Sequence, residues 1–349
     1  CVPATTFETA GAEIDAAALE TLLRKPEIHY LAEMMNYPAV LHDDPLVLEK
    51  LAIGQKLQKP IDGHAPGLRG ANAKKYAARG ISTDHECFTY PEAREKLDYG
   101  MHILIREGSA AKNFEALHPL LSEAPKRIMF CSDDKHPDDL LEGHINQLAA
   151  RAVAKGHDVF DVLQAACINP VQHYNLQVGQ LQEGDAADFV VVKDLEDFEV
   201  LETYIAGQLV AQNGHSLIPS VSAQVINNFH CNPKTPEDFQ ITAEGKTIQV
   251  IHAFDGELVT KSFSAPAKIE SGRALADIKR DVLKITVVNR YADAPPALAF
   301  IHGFGLQKGA IASCVGHDSH NIIAVGTNDE DLCQAVNLII ANEGGIAAV

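Results

Sequence analysis

Four strand-like apolar runs in the first half of the chain each end on a side chain able to bind a metal ion. They are Ile28–Glu33, ending on Glu33; Ile61–His64, ending on His64; Ile81–His85, ending on His85; and Arg127–Asp133, ending on Asp133. A (β/α)8 barrel places its chemistry at the C-terminal ends of its strands. A carboxylate, two imidazoles and an aspartate converging there suit a hydrolytic metal centre.

The spacing agrees. The intervals are 64 − 33 = 31, 85 − 64 = 21 and 133 − 85 = 48 residues. A strand with its crossover helix takes roughly 30 residues, so the last interval has room for two units. It holds a fifth run, His102–Ile105, followed by Arg106, Glu107 and Ser109. One such histidine alone would more often be structural than a ligand; the ordered series favours ligation. With a further end near Thr5–Glu8, the strand ends number six, where a closed barrel needs eight. The chain also opens on Cys1 without an initiator Met. The expectation is therefore a partial, N-terminally truncated TIM-type barrel whose missing strands precede Cys1.

Composition narrows the partners. At 349 residues the chain is too long for one ordinary domain. Its formal net charge of −18 argues against a polyanion, and 6% aromatics with no Trp argue against a base-stacking platform, so no nucleic acid is expected. The seven cysteines are scattered and form no CxxC pair. They read as reduced thiols in a cytoplasmic protein. No run of about 18 apolar residues suggests a membrane span.

Three regions are expected. Residues 1–173 alternate strands and helices, as in a parallel sheet covered by helices. Within them Asp138–Ala154 reads as one helix, and Val159–Ile168 as another that stops before Asn169–Pro170. Residues 174–218 read as part of a small β-sandwich module, with a Val-rich strand at Phe189–Val192 and a hairpin around Ala206–Gly207. Residues 219–349 read as an α+β domain. Its apolar runs are Gln249–Ala253, Val282–Val288, Ala299–Ile301 and Ile322–Val325, and a helix is expected at Asp329–Ala341.

Several longer phrases carry a resemblance. CVPATTFETAGA, LAEMMNYPAV, IDGHAPGL, GISTDHE, GMHILIREGSAAKN and FCSDDKHPDDLLEGHI resemble the bacterial adenine deaminase family of the amidohydrolase superfamily. VVNRYADAPPALAFIHGFGL and GAIASCVGHDSHNIIAVGTNDED resemble that family's C-terminal domain. The resemblance implies a metallo-dependent hydrolase barrel, a β-sandwich and an extra C-terminal domain. It also implies a binuclear divalent metal centre, manganese first with iron or zinc as alternatives, that hydrolyses adenine to hypoxanthine and ammonia. The small-molecule partner would be a purine base, and the assembly a homodimer. In the family's pattern Glu33 matches the bridging carboxylate after the fourth strand, His64 and His85 the ligands after the fifth and sixth, and Asp133 the aspartate after the eighth. The family's His-x-His pair does not occur before Glu33, so the expectation places it upstream of Cys1.

Roles follow. Glu33 would bridge cations, and Asp133 would bind metal and shuttle a proton. Asp62 and Asp84 could orient the histidines that follow them. Arg106, Glu107, Ser109, Asp134 and Glu8 fall where substrate contacts are expected; Asp134 and His136 could order the loop or touch substrate, and Arg106 could instead pair with a neighbouring carboxylate. His317 and His320, in GHDSHN, are left between ligand and structural roles. Two alternatives stand beside adenine hydrolysis: a cyclic-amide or N-acyl hydrolase using the same ligands, and a catalytically incomplete fragment lacking the His-x-His pair.

Overall fold

A computed structural model describes residues 8–109, 111–255, 259–316 and 319–349. They form two compact units. One is Ile14–Ser222; the other is the segment ending at Glu13 together with Ala223–Val349.

The first unit is built on five short parallel strands, each leading into a helix. They are β1 (Leu31–Met34), β2 (Ile61–Gly63), β3 (Thr83–Asp84), β4 (His102–Arg106) and β5 (Ile128–Cys131). β1 pairs with β2, and β3, β4 and β5 pair in order. The Ser82 amide donates to Ile61 O at 2.8 Å, so β3 lies beside β2 as well. Neighbours in sequence are thus neighbours in space, as right-handed βα repeats require. β4 reads HILIR, and Ile103, Leu104 and Ile105 are all buried. Continuous apolar sequence is what a parallel strand covered on both faces demands.

Local chemistry starts the crossover helices. Asp44 accepts from the Leu46 and Val47 amides ahead of Pro45–Lys56, and Thr89 accepts from the Glu92 amide ahead of Tyr90–Asp98. In both, proline follows in the first turn, where its missing N–H costs nothing. Two buried clusters result. One gathers Leu31, Ile61, Tyr76, Ile81 and Met101; the other Ile103, Ile105, Phe114, Ile128, Phe130 and Leu148.

Two helices depart from expectation. Asp138–Ala154 is not one helix but two, Pro137–Glu142 and Ile145–Ala154. Between them Gly143 takes φ 156°, a value closed to most side chains. The helix beginning at Val159 does not stop before Pro170. A wide turn at Gln164–Ile168 bonds the Asn169 amide to Gln164 O and carries the axis into Asn169–Tyr174. Five-residue hydrogen bonding relieves the clash that proline causes in a regular helix.

The unit ends in a four-stranded antiparallel sheet in chain order. It comprises β6 (Phe189–Val192), β7 (Val200–Ile205), β8 (Gln208–Gln212) and β9 (His215–Ser216). The β7–β8 turn falls on Ala206–Gly207, both at positive φ. That backbone twist matches a tight hairpin.

The second unit holds two sheets. β10 (Ile241–Thr242), β13 (Lys268–Glu270) and β14 (Arg273–Leu275) make a small one in the order β10-β14-β13. The other has seven strands: β11 (Thr247–His252), β12 (Lys261–Pro266), β15 (Leu283–Val288), β16 (Ala297–His302), β17 (Ala310–Ser313), β18 (Ile322–Gly326) and β19 (Ile346–Ala348). Their order is β12-β11-β16-β15-β18-β17-β19, antiparallel except for β11 beside β16. The helix Asp329–Ala341 forms where expected, capped by Asn328. It buries Leu332, Ala335, Val336 and Ile339 against Phe239, Ile322 and Ala324. Among the described residues, no helix is long and apolar enough to cross a membrane.

Candidate metal centre

Glu33 lies within β1; His64 directly follows β2, His85 directly follows β3, and Asp133 comes two residues after β5. The strands run parallel, so their C-terminal ends share one edge, and the four side chains converge there. His85 Nε2 lies 2.9 Å from Glu33 Oε2 and 3.5 Å from Asp133 Oδ2. His64 Nδ1 lies 3.4 Å from the same Glu33 oxygen. Asp133 reaches the cluster from a left-handed backbone, φ 48°, a conformation Asp tolerates better than most residues.

A fifth group, unforeseen, is Glu86. Its side chain is 2% exposed, and Oε1 lies 3.5 Å from His85 Nε2 and 3.7 Å from His64 Nδ1. Arg106, the last residue of β4, pairs through Nη1 with both Glu86 and Asp133. The only sequence signal for Glu86 was its place directly after His85.

The donor set fits a divalent cation. Glu33, His64 and His85 offer three ligand atoms within 4.8 Å of one another, and so do His85, Glu86 and Asp133. Ligands about 2.1 Å from a shared ion stand about 3–3.5 Å apart, close to the separations found. His64 Nδ1 is buried and makes no hydrogen bond among the described residues, the state expected of a ligand nitrogen.

Electrostatics agree. Burial alone would raise the Glu33 carboxyl, but His64 and His85 hold it well below the usual carboxylate range. Burial alone would lower His85, but Glu33, then Asp133, push it up to about 9. Asp62 is raised to about 6 by burial, against hydrogen bonds from Thr83 and Tyr174. Those bonds are 2.9 and 3.0 Å. Asp62 thus braces β2 against β3 and Tyr174.

The ligand loops are held by buried polar side chains. Tyr76 donates to Met34 O at 2.7 Å and accepts the His64 amide at 3.0 Å. Asn113 donates to His85 O and Cys87 O while accepting the Arg106 amide. Asp84 Oδ1 accepts the Glu86 amide at 2.8 Å.

The residues expected at substrate separate. Arg106 is in the cluster. Glu107 turns to Arg151 at 2.7 Å and caps the Phe114 amide at 3.3 Å. Ser109 bonds Asp139 and accepts the His136 amide at 2.8 Å. Asp134 is exposed, and its carbonyl accepts the Ser109 amide at 3.1 Å. Glu8 and His320 belong to the second unit. Thr5 and His317 lie outside the described residues.

A mixed α/β unit with histidine and carboxylate side chains gathered at the ends of parallel strands is the setting of a metal-dependent hydrolase. The chain belongs to the amidohydrolase family, whose model matches residues 2–210. Residues 257–349 match the adenine deaminase C-terminal domain. Proteins named adenine deaminase from Salinibacter ruber and Sulfurovum sp. are 54% and 56% identical over all 349 residues. One from Parabacteroides distasonis is 49% identical over 99% of the chain. The chain spans 64% of the length of each. A solved β-aspartyl dipeptidase from Fervidobacterium islandicum AW-1 aligns at TM-score 0.47 and 15% identity, covering 63% of this chain and 64% of that one.

Proposed function

We propose that this chain carries the metal-binding edge of an adenine deaminase, which converts adenine and water to hypoxanthine and ammonia. The observation that carries the reading is the convergence of Glu33, His64, His85 and Asp133 on one strand edge, in a chain similar along its whole length to adenine deaminases. In this reading β1–β5 are the fourth to eighth strands of a (β/α)8 barrel. Residues 174–218 are part of a β-sandwich module and 219–349 the C-terminal domain.

Glu33, His64 and His85 would hold a divalent cation, manganese first. Bound there, a cation would act as a Lewis acid that lowers the pKa of a water molecule for attack on the ring carbon. Asp133 accepts the proton of the attacking water and returns it to the departing amine, acting as base and then acid. Arg106 fixes the Asp133 carboxylate for both transfers, and Glu86 adds negative charge beside the histidines.

The test measures manganese content and hypoxanthine formation from adenine. It uses this chain and a form extended to the length of its relatives. Bound metal with hypoxanthine supports the reading. A folded, extended form that binds metal but hydrolyses only cyclic amides or N-acyl amino acids would replace it with the alternative hydrolase.

A further inference from the structure

The loops bearing His64 and His85 are joined from behind by one ammonium. Lys96 lies on the helix Tyr90–Asp98 and is fully buried. Its Nζ donates to Ala65 O at 2.7 Å, Asp84 Oδ2 at 2.8 Å and Glu92 Oε1 at 2.9 Å, which uses all three N–H bonds. Ala65 follows His64, and Asp84 precedes His85. The two carboxylates extend the network. Asp84 accepts the Glu86 amide; Glu92 accepts the Gly67 amide at 2.9 Å and the Phe88 amide at 3.2 Å. The backbone beside both histidines is therefore tied to a single side chain.

Burying three charges is weak evidence for stability, since well-packed apolar groups often do as well. A fully satisfied polar network does, however, fix one arrangement of the segments it joins. Those segments are the two that carry imidazoles.

We infer that Lys96 is a positioning residue that sets the separation of the His64 and His85 loops and thereby the affinity of the centre for a divalent cation. The inference rests on the metal centre proposed above. Without the ammonium, Asp84 and Glu92 face each other as buried like charges, and Ala65 O loses its donor. The loops then part, and the imidazoles lose their common focus.

The test is Mn2+ affinity by competition with a chromophoric chelator, beside the thermal midpoint in excess EDTA. It compares wild type, Lys96→Met and Glu92→Gln, each in the given and extended forms. Outer partners of metal ligands typically contribute about 10- to 100-fold to affinity, and Lys96→Met should weaken Mn2+ binding by that factor. Glu92→Gln should weaken it less, because an amide has one acceptor oxygen where the carboxylate uses two. A lower midpoint in EDTA with unchanged Mn2+ affinity would make Lys96 structural only and overturn the inference. If Lys96→Met does not fold, unchanged affinity in Glu92→Gln overturns it equally. Extended wild type that binds Mn2+ but yields no hypoxanthine overturns the adenine reading alone; folded, extended wild type that binds no Mn2+ overturns both.

Discussion

His85 and Glu33 meet at 2.9 Å, imidazole nitrogen to carboxylate oxygen, from the ends of two strands that are not paired with each other. Their contact depends on β2 lying between them. Replacing His85 by Asn should lower Mn2+ affinity by at least about 10-fold, since one of few ligands is lost. Chelator competition reads this directly. Equal affinity in His85→Asn would remove His85 from the ligand set.

A single guanidinium, Arg106, pairs with both Glu86 and Asp133. In Arg106→Met the two carboxylates lose the guanidinium and keep only His85 as a shared cationic neighbour, which destabilises the protein in EDTA. A cation would then relieve more repulsion. The rise in thermal midpoint on adding saturating Mn2+ should be larger in Arg106→Met than in wild type. A smaller rise would mean that the guanidinium helps to hold the ion.

Gly63 separates Asp62 from His64, and a Cβ there would sit 2.4 Å from Thr83 O and 2.7 Å from an Ile81 methyl. Gly63→Ala must push β2 away from β3. Overpacking of this kind costs about 1–3 kcal/mol. Urea unfolding in EDTA should show that loss, and His64 should move with it, weakening Mn2+ binding. Wild-type stability in Gly63→Ala would show that the two strands yield freely.

At the opposite end of β4, His102 packs on His173 with ring centres 4.5 Å apart. Burial first, then His173 and Arg127, lowers His102 from 6.5 to about 4. The unfolded chain takes up this proton as pH falls below 6.5, whereas the folded chain takes it up only near 4. Stability should therefore decline as pH drops through that window and level off beneath it. In His102→Gln the decline should be shallower, measured by urea midpoints in EDTA between pH 7.5 and 4. Parallel curves would show that the His102 pKa does not change on folding.

Much of the strand edge was legible because buried parallel strands need unbroken apolar residues, and those runs stop at or beside the candidate metal-binding side chains. β2, β4 and β5 fall within a few residues of the runs that announced them. The helix break at Gly143 was hidden by an apolar period that continues across it. Pro170 looked like a stop because the wide turn before it leaves no composition signal. Glu86 and Lys96 were missed for a common reason. A charged residue reads as solvated, and the Glu92–Lys96 spacing is that of an ordinary surface pair on a helix. Only the folded chain shows the pair buried, with Asp84 as a third partner.

The candidate donors come from separate repeats, so no single strand end supplies this cluster by itself. Glu33, His64, His85 and Asp133 stand within reach of one another only once β1, β2, β3 and β5 have found their places. Capture of the cation would then mark the close of assembly in this unit, making a coloured or paramagnetic ion a reporter of when the nascent strands come into register.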